Sequence, residues 1–162
     1  MNNNVLTVGI GEIKFTKEPG EVLVAYGLGS CLGIGAYDPQ TKMAGMLHAM
    51  LPNFSRPEDH LSAKFVDSGI KHLVEKFEEE GVSKGRLVIK VAGGANMLNA
   101  PGLKDTFNIG ERNLTSSQEE FKKLNLKYSA EEVGGHTGRT VRLYVSDGRM
   151  TIRTMGNQER EI

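Results

Sequence analysis

A chain of 162 residues with 38% hydrophobic and 25% charged side chains has the size and balance of one globular domain. Its 20 basic and 20 acidic residues cancel, which removes the positive field that nonspecific nucleic-acid binding relies on, so nucleic acid is not an expected partner. No apolar run approaches the roughly 20 residues that a membrane span needs, so the chain is not expected to insert in a membrane.

In chain order, Met1 to Asn4 carries no basic n-region and no apolar h-region, which leads us to expect a cytoplasmic protein. Val5 to Ile13 and Glu21 to Tyr26 read as strands, separated by the turn residues Lys17-Glu18-Pro19-Gly20. Cys31 to Tyr37 alternates apolar and small residues, Asp38-Pro39-Gln40-Thr41 turns, and Met43 to Leu51 is apolar again, which predicts a β-hairpin over 31–51. Between Leu61 and Glu80 the apolar positions Phe65, Val66, Ile70, Leu73, Val74 and Phe77 recur at helical spacing, and Gly81 ends the pattern. Arg86 to Ala92 is a strand running into Gly93-Gly94. Thr115-Ser116-Ser117 with Glu119 and Glu120 has capping-box spacing and predicts a second helix from about Thr115 to Lys123. Leu126 to Glu132, Arg139 to Val145 and Met150 to Thr154 complete the strands, the last two joined at Asp147-Gly148. The pattern is α+β, a mixed and largely antiparallel sheet covered by helices, in one domain spanning 1–162.

The single cysteine excludes an internal disulfide and a multi-cysteine zinc site, leaving a buried structural thiol or a reactive one. With a hairpin loop of two residues (39–40) or four (38–41), Cys31 falls directly opposite His48, where facing Cβ atoms stand about 4.5–5.5 Å apart. A three-residue loop would send the two to opposite faces, but 38–42 has no Gly or Asn for the left-handed position such a loop prefers. Taken singly, a core thiol and a core histidine are the blander accounts of each residue. Their coincidence in register, with glycines on both sides of the cysteine, favours a nucleophile and its base. Gly29 and Ser30 would bring backbone N–H groups to a developing oxyanion. Gly29-Ser30-Cys31-Leu32-Gly33 also matches a nucleophile elbow, but the residues after it are strand-like, whereas that device needs a helix. A metal held by Cys31, His48, His60 and His72 has little support, since the last two belong to a solvated helix face, and no cofactor is expected.

Several motifs lie in order along the chain: Gly27-Leu28-Gly29-Ser30-Cys31, His48-Ala49-Met50-Leu51-Pro52, Ala92-Gly93-Gly94-Ala95 with Met97, Asn108-Ile109-Gly110 with Arg112-Asn113, and Gly134-Gly135 with Gly138-Arg139 and Val141. In these, over nearly its whole length, the chain resembles the CheD family of chemoreceptor glutamine deamidases. The resemblance implies an α/β sandwich like that of certain toxin deamidases, with Cys31 and His48 catalytic. It implies methyl-accepting chemoreceptors as substrates, glutamine becoming glutamate, and a CheC-type phosphatase as regulatory partner. Some members have a threonine six residues before the cysteine as a third catalytic residue, and here that position is Ala25, which leaves a backbone carbonyl, Ser30 or a water for the role. Glu132 and His136 stand where the family often has Asp and Asn.

The expected chemistry is attack by the Cys31 thiolate on a carboxamide carbon, a thioester, and hydrolysis, with His48 passing the protons. Such an acyl-enzyme would also accept a glutamyl methyl ester, so methylesterase activity is a further expectation. Two rivals remain: a module that mainly engages the CheC-type phosphatase, with Phe107 among its contacts, and a hydrolase of small amides such as free glutamine.

Overall fold

The computed structural model describes residues 4–97 and 108–162, so Phe107 lies outside the described residues. Ten strands and two long helices form: β1 (Asn4–Thr7), β2 (Glu12–Thr16), β3 (Glu21–Leu28), β4 (Leu32–Asp38), β5 (Met43–Ala49), α1 (Val66–Glu79), β6 (Val88–Gly93), α2 (Ile109–Lys123), β7 (Ala130–Val133), β8 (Arg139–Tyr144), β9 (Met150–Thr154) and β10 (Arg160–Glu161). They build two five-stranded sheets, ordered β1-β3-β8-β9-β10 and β2-β5-β4-β6-β7, each antiparallel apart from one parallel pair. The fold is therefore the expected mixed, largely antiparallel α/β arrangement with helices over the sheet, its strands divided between two sheets.

Strand alternation explains the layering. Leu32, Ile34 and Ala36 of β4, with Leu47 and Ala49 of β5, join Ile70, Leu73 and Phe77 of α1 in one apolar cluster. The opposite face of the same strands carries Gly33, Gly35 and Tyr37 beside His48, Met46 and Ala44. Tyr37, Met46 and Ala44 cluster with Leu23, Val141, Leu143, Met150 and Ile152 of the other sheet. A Cβ on Gly35 would stand 3.1 Å from the Met150 Sδ, so the glycine lets the sheets approach. The order is helices, second sheet, first sheet, and His48 points into the seam between sheets.

Several boundaries differ from expectation for identifiable reasons. Val5 to Ile13 is not one strand, because the turn at 8–11 moves the chain from one sheet to the other. The first helix begins at Val66, not Leu61, because the Lys64 carbonyl accepts from the Met50 and Leu51 amides and Val66 donates to the Leu51 carbonyl. The second helix begins at Ile109, so the supposed capping box sits inside it. Ser116 and Ser117 are buried there, donating to the carbonyls of Pro52 (2.7 Å) and Leu114 (2.7 Å).

The hairpin closes two residues away from the expected register. Asp38 pairs with Met43, and the loop is 39–42, with Lys42 in the left-handed region at φ 64°. Asp38 causes this: its buried carboxylate accepts from the amides of Gln40 and Thr41, the Thr41 hydroxyl at 2.6 Å, and two nitrogens of Arg86 at 2.7 and 3.0 Å. The Arg86 guanidinium, aided by these donors and opposed by burial, holds the Asp38 carboxyl well below the usual carboxylate range. Asp38→Ala should therefore lower stability by about 2–4 kcal/mol in chemical denaturation near neutral pH. A depressed carboxylate confers stability above its unfolded pKa and loses it as pH falls through the folded value. The gap between wild type and variant should accordingly shrink in strong acid.

Candidate active site

Pairing of β4 with β5 sets Gly33, not Cys31, opposite His48. The expected direct facing of Cys31 and His48 is thus corrected by two residues. Cys31 itself stands in the bend just before the ladder, whose first pair is Leu32 with Ala49. Cys31 is half-buried, lies just before β4 and packs against the cluster between the sheets. His48 is only 3% exposed.

His48 is fixed by groups that the sequence did not flag. Its Nδ1 lies 2.9 Å from the Val8 carbonyl, which can only accept, so Nδ1 carries the proton and Nε2 the lone pair. Val8 is itself held by its amide bond to the Val24 carbonyl, and the His48 carbonyl accepts from Gly11 at 2.7 Å. Glu12 pairs with His48 across β2 and β5 and accepts the Gly9 amide, closing the turn that presents Val8. Ala25 is fully buried in the seam and has no hydroxyl to offer, and the group that bonds the imidazole is the Val8 backbone carbonyl. Val8 to Gly11 falls inside a run that reads as one strand, so the turn that presents this carbonyl was not anticipated.

The segment before β4 has a regular arrangement. The carbonyls of Gly29, Ser30 and Cys31 accept from the Ala95 amide (2.9 Å), the Asn113 side chain (2.8 Å) and the Gly94 amide (3.0 Å). The amides of Gly29 and Ser30 make no hydrogen bond among the described residues. A β-bulge between Ala25 and Leu28, with Gly27 at φ 60°, bends β3 into this segment, a device common beside active sites. Gly93, at φ 106°, is irreplaceable here: a Cβ would stand 2.2 Å from the Cys31 carbonyl oxygen.

Burial pushes the Cys31 thiol up, partly offset by its own backbone N–H. Burial pushes the His48 imidazolium down, against the Val8 bond and the Glu12 charge. Both shifts favour the uncharged forms of the two groups.

The remaining sequence candidates fall elsewhere. His72 packs on Phe15, on the helix side of the sheet and away from His48, and His60 bonds the Pro57 carbonyl. Those histidines do not join Cys31 and His48 as a ligand set. Glu132 binds Arg139 (2.7 Å) and Arg160, and Arg139 reaches the carbonyls of Gly93 and Gly134, bracing the double-glycine turns. His136 bonds the Asn96 carbonyl at 2.8 Å and lines a cleft of about 260 Å³ with Gly94, Glu111 and Leu114.

The chain matches the family model for CheD chemotactic sensory transduction over residues 50–154. It is 44% identical over 158 residues to a probable chemoreceptor glutamine deamidase CheD of Caldanaerobacter subterraneus subsp. tengcongensis, covering 97% of each chain. Proteins of the same description from Symbiobacterium thermophilum (38%, covering 96% of this chain and 95% of that one) and Pyrococcus abyssi (42%, 91% and 90%) are also similar. Among solved structures, the Bacillus licheniformis hypothetical protein YfiH has a TM-score of 0.49 at 14% identity, covering 74% of this chain and 49% of that one. YlmD from Geobacillus stearothermophilus has a TM-score of 0.39 at 16% identity, covering 56% and 35%. On the family model and the near full-length relatives, the chain belongs to the CheD family.

Proposed function

We propose that the chain, acting as one domain over 1–162 in the cytoplasm, is a protein-glutamine deamidase of methyl-accepting chemoreceptors. Cys31 is its nucleophile and His48 its base. The observation that carries this reading is the protonated Nδ1 of His48, which leaves Nε2 as acceptor beside the seam between the sheets, where Cys31 also packs. Membership in a family whose relatives are described as chemoreceptor glutamine deamidases supplies the substrate. Exposed apolar side chains at Ile10, Tyr26 and Met97 favour a protein surface over free glutamine as the substrate. Ile10 stands in the turn that bonds the His48 carbonyl, and Met97 lies against Gly29.

With burial biasing both groups toward their uncharged forms, the thiol proton passes to Nε2 as sulfur bonds the γ-carboxamide carbon. Negative charge gathers on the carboxamide oxygen, within reach of the unused amides of the Gly29 to Cys31 segment. The imidazolium gives its proton to the departing nitrogen, and ammonia leaves with formation of a thioester. Water, deprotonated by the same imidazole, hydrolyses the thioester to glutamate and restores the thiol. No step requires a cofactor. The test is mass spectrometry of a receptor cytoplasmic fragment after incubation, with glutamine-to-glutamate conversion expected.

The thioester is also the intermediate of methyl ester hydrolysis. Incubation with methylated receptor is therefore expected to release methanol, and none should be released by Cys31→Ala. The family resemblance further proposes a CheC-type phosphatase as partner. A chain that only engaged that phosphatase would need no activated thiol, and the raised thiol of Cys31 is the one observation in its favour. Receptor fragment left unconverted by well-folded protein would select that reading.

A further inference from the structure

Asn113 is fully buried in α2, and its one Nδ2 donates to the Ser30 carbonyl at 2.8 Å and the Met50 carbonyl at 3.2 Å. Carbonyls only accept, so this orientation of the carboxamide is forced. Its Oδ1 is buried without a hydrogen-bond partner among the described residues, which is a desolvation cost. A side chain held at such a cost joins the residue before Cys31 to the residue two after His48.

The peptide plane gives this contact a consequence. In a trans peptide the C=O and the following N–H point in opposite directions, so fixing the Ser30 carbonyl fixes the Cys31 N–H. Likewise the Ala95 bond to the Gly29 carbonyl fixes the Ser30 N–H. The first of these planes is held by a side chain, and mutation can release it without touching the backbone.

Resting on the reading of Cys31 as nucleophile, we propose that Asn113 is a positioning residue for deamidation: it aims the Cys31 N–H as an oxyanion donor and locks the nucleophile's segment to the strand carrying His48. It touches neither substrate nor the reacting atoms.

The experiment compares full-length wild type, Asn113→Ala, Asn113→Ser, Ser116→Ala and Cys31→Ala on a receptor cytoplasmic fragment, each well below its melting midpoint. Ser116→Ala is the control, since it removes a buried bond of the same helix to the Pro52 carbonyl. Asn113→Ala should lower kcat by about 10- to 100-fold, less than outright loss of an oxyanion donor, because the N–H is misaimed and not deleted. KM should stay within about twofold, which marks an interaction made in the transition state. Alkylation of Cys31 by iodoacetamide, which develops no oxyanion, should keep its rate within about threefold. Ser116→Ala should lose stability but hold its kcat.

The proposal is overturned if Asn113→Ala, or Asn113→Ser should the alanine variant not fold, keeps wild-type kcat while Cys31→Ala is inactive. It is equally overturned if kcat and alkylation fall together, or if Ser116→Ala loses as much kcat. Turnover by Cys31→Ala would instead remove the reading of Cys31 on which it rests.

Discussion

Cys31→Ala is expected to reduce glutamine conversion on the receptor fragment by at least about 10⁴-fold, the scale of loss when a covalent nucleophile is removed. The fold should survive, because Cys31 is half-buried at the edge of the seam and, among the described residues, its side chain makes no hydrogen bond to another element. Its backbone carbonyl bond to the Gly94 amide remains in the variant. A structural thiol would predict the reverse, with lost stability and retained turnover. Circular dichroism with mass spectrometry of the receptor glutamines separates the two outcomes. Equal conversion by wild type and variant would end the case for a thioester and leave His48 to activate water directly. Cys31→Ser adds a sharper arm: it fills nearly the same space, yet its hydroxyl is far harder for a neutral imidazole to deprotonate, so it too should be nearly inactive.

The parts of this site that could be read in the sequence are those set by strand alternation. Parity put His48 on the face of β5 that meets the other sheet, while the expected pairing with Cys31 was off by two residues. The error came from Asp38, whose carboxylate collects the loop amides and Arg86 and so carries the strand one residue further before the turn. Arg86 is distant in the chain, and nothing local announces the pair. The same limit hid Val8, Gly11 and Asn113. They act through backbone carbonyls and amides of other elements, contacts made only once the two sheets and α2 have assembled. The misplaced start of α2 has a related cause. Ser116 and Glu119 have cap spacing, but Ser116 is buried and its hydroxyl is satisfied inside the helix by the Pro52 carbonyl. The division of the strands between two sheets has its trace in β4 and β5, which are apolar or small and buried on both faces.

The second large effect concerns His48 and pH. His48→Gln should lower kcat by about 10²- to 10⁴-fold, the usual contribution of a positioned base. In the wild type only neutral imidazole accepts the thiol proton, so kcat/KM should fall as pH drops through the His48 pKa. Burial sets that pKa below its ordinary 6.5, with the Val8 carbonyl and Glu12 opposing. Activity should therefore persist to lower pH than an exposed histidine allows, and Glu12→Gln should move the acid limb lower still. The same sign governs stability: below pH 6.5 the unfolded histidine binds a proton before the folded one does, so stability is lost as pH falls from there. On the alkaline side the raised Cys31 thiol should make alkylation climb with pH beyond the ordinary thiol range, without the plateau in acid that a thiolate-imidazolium pair produces. An acid limb centred above 6.5, or rapid alkylation in acid, would mean the pair rests charged. Catalysis would then begin from a preformed thiolate, and the proton transfer from sulfur to Nε2 would not be part of the reaction.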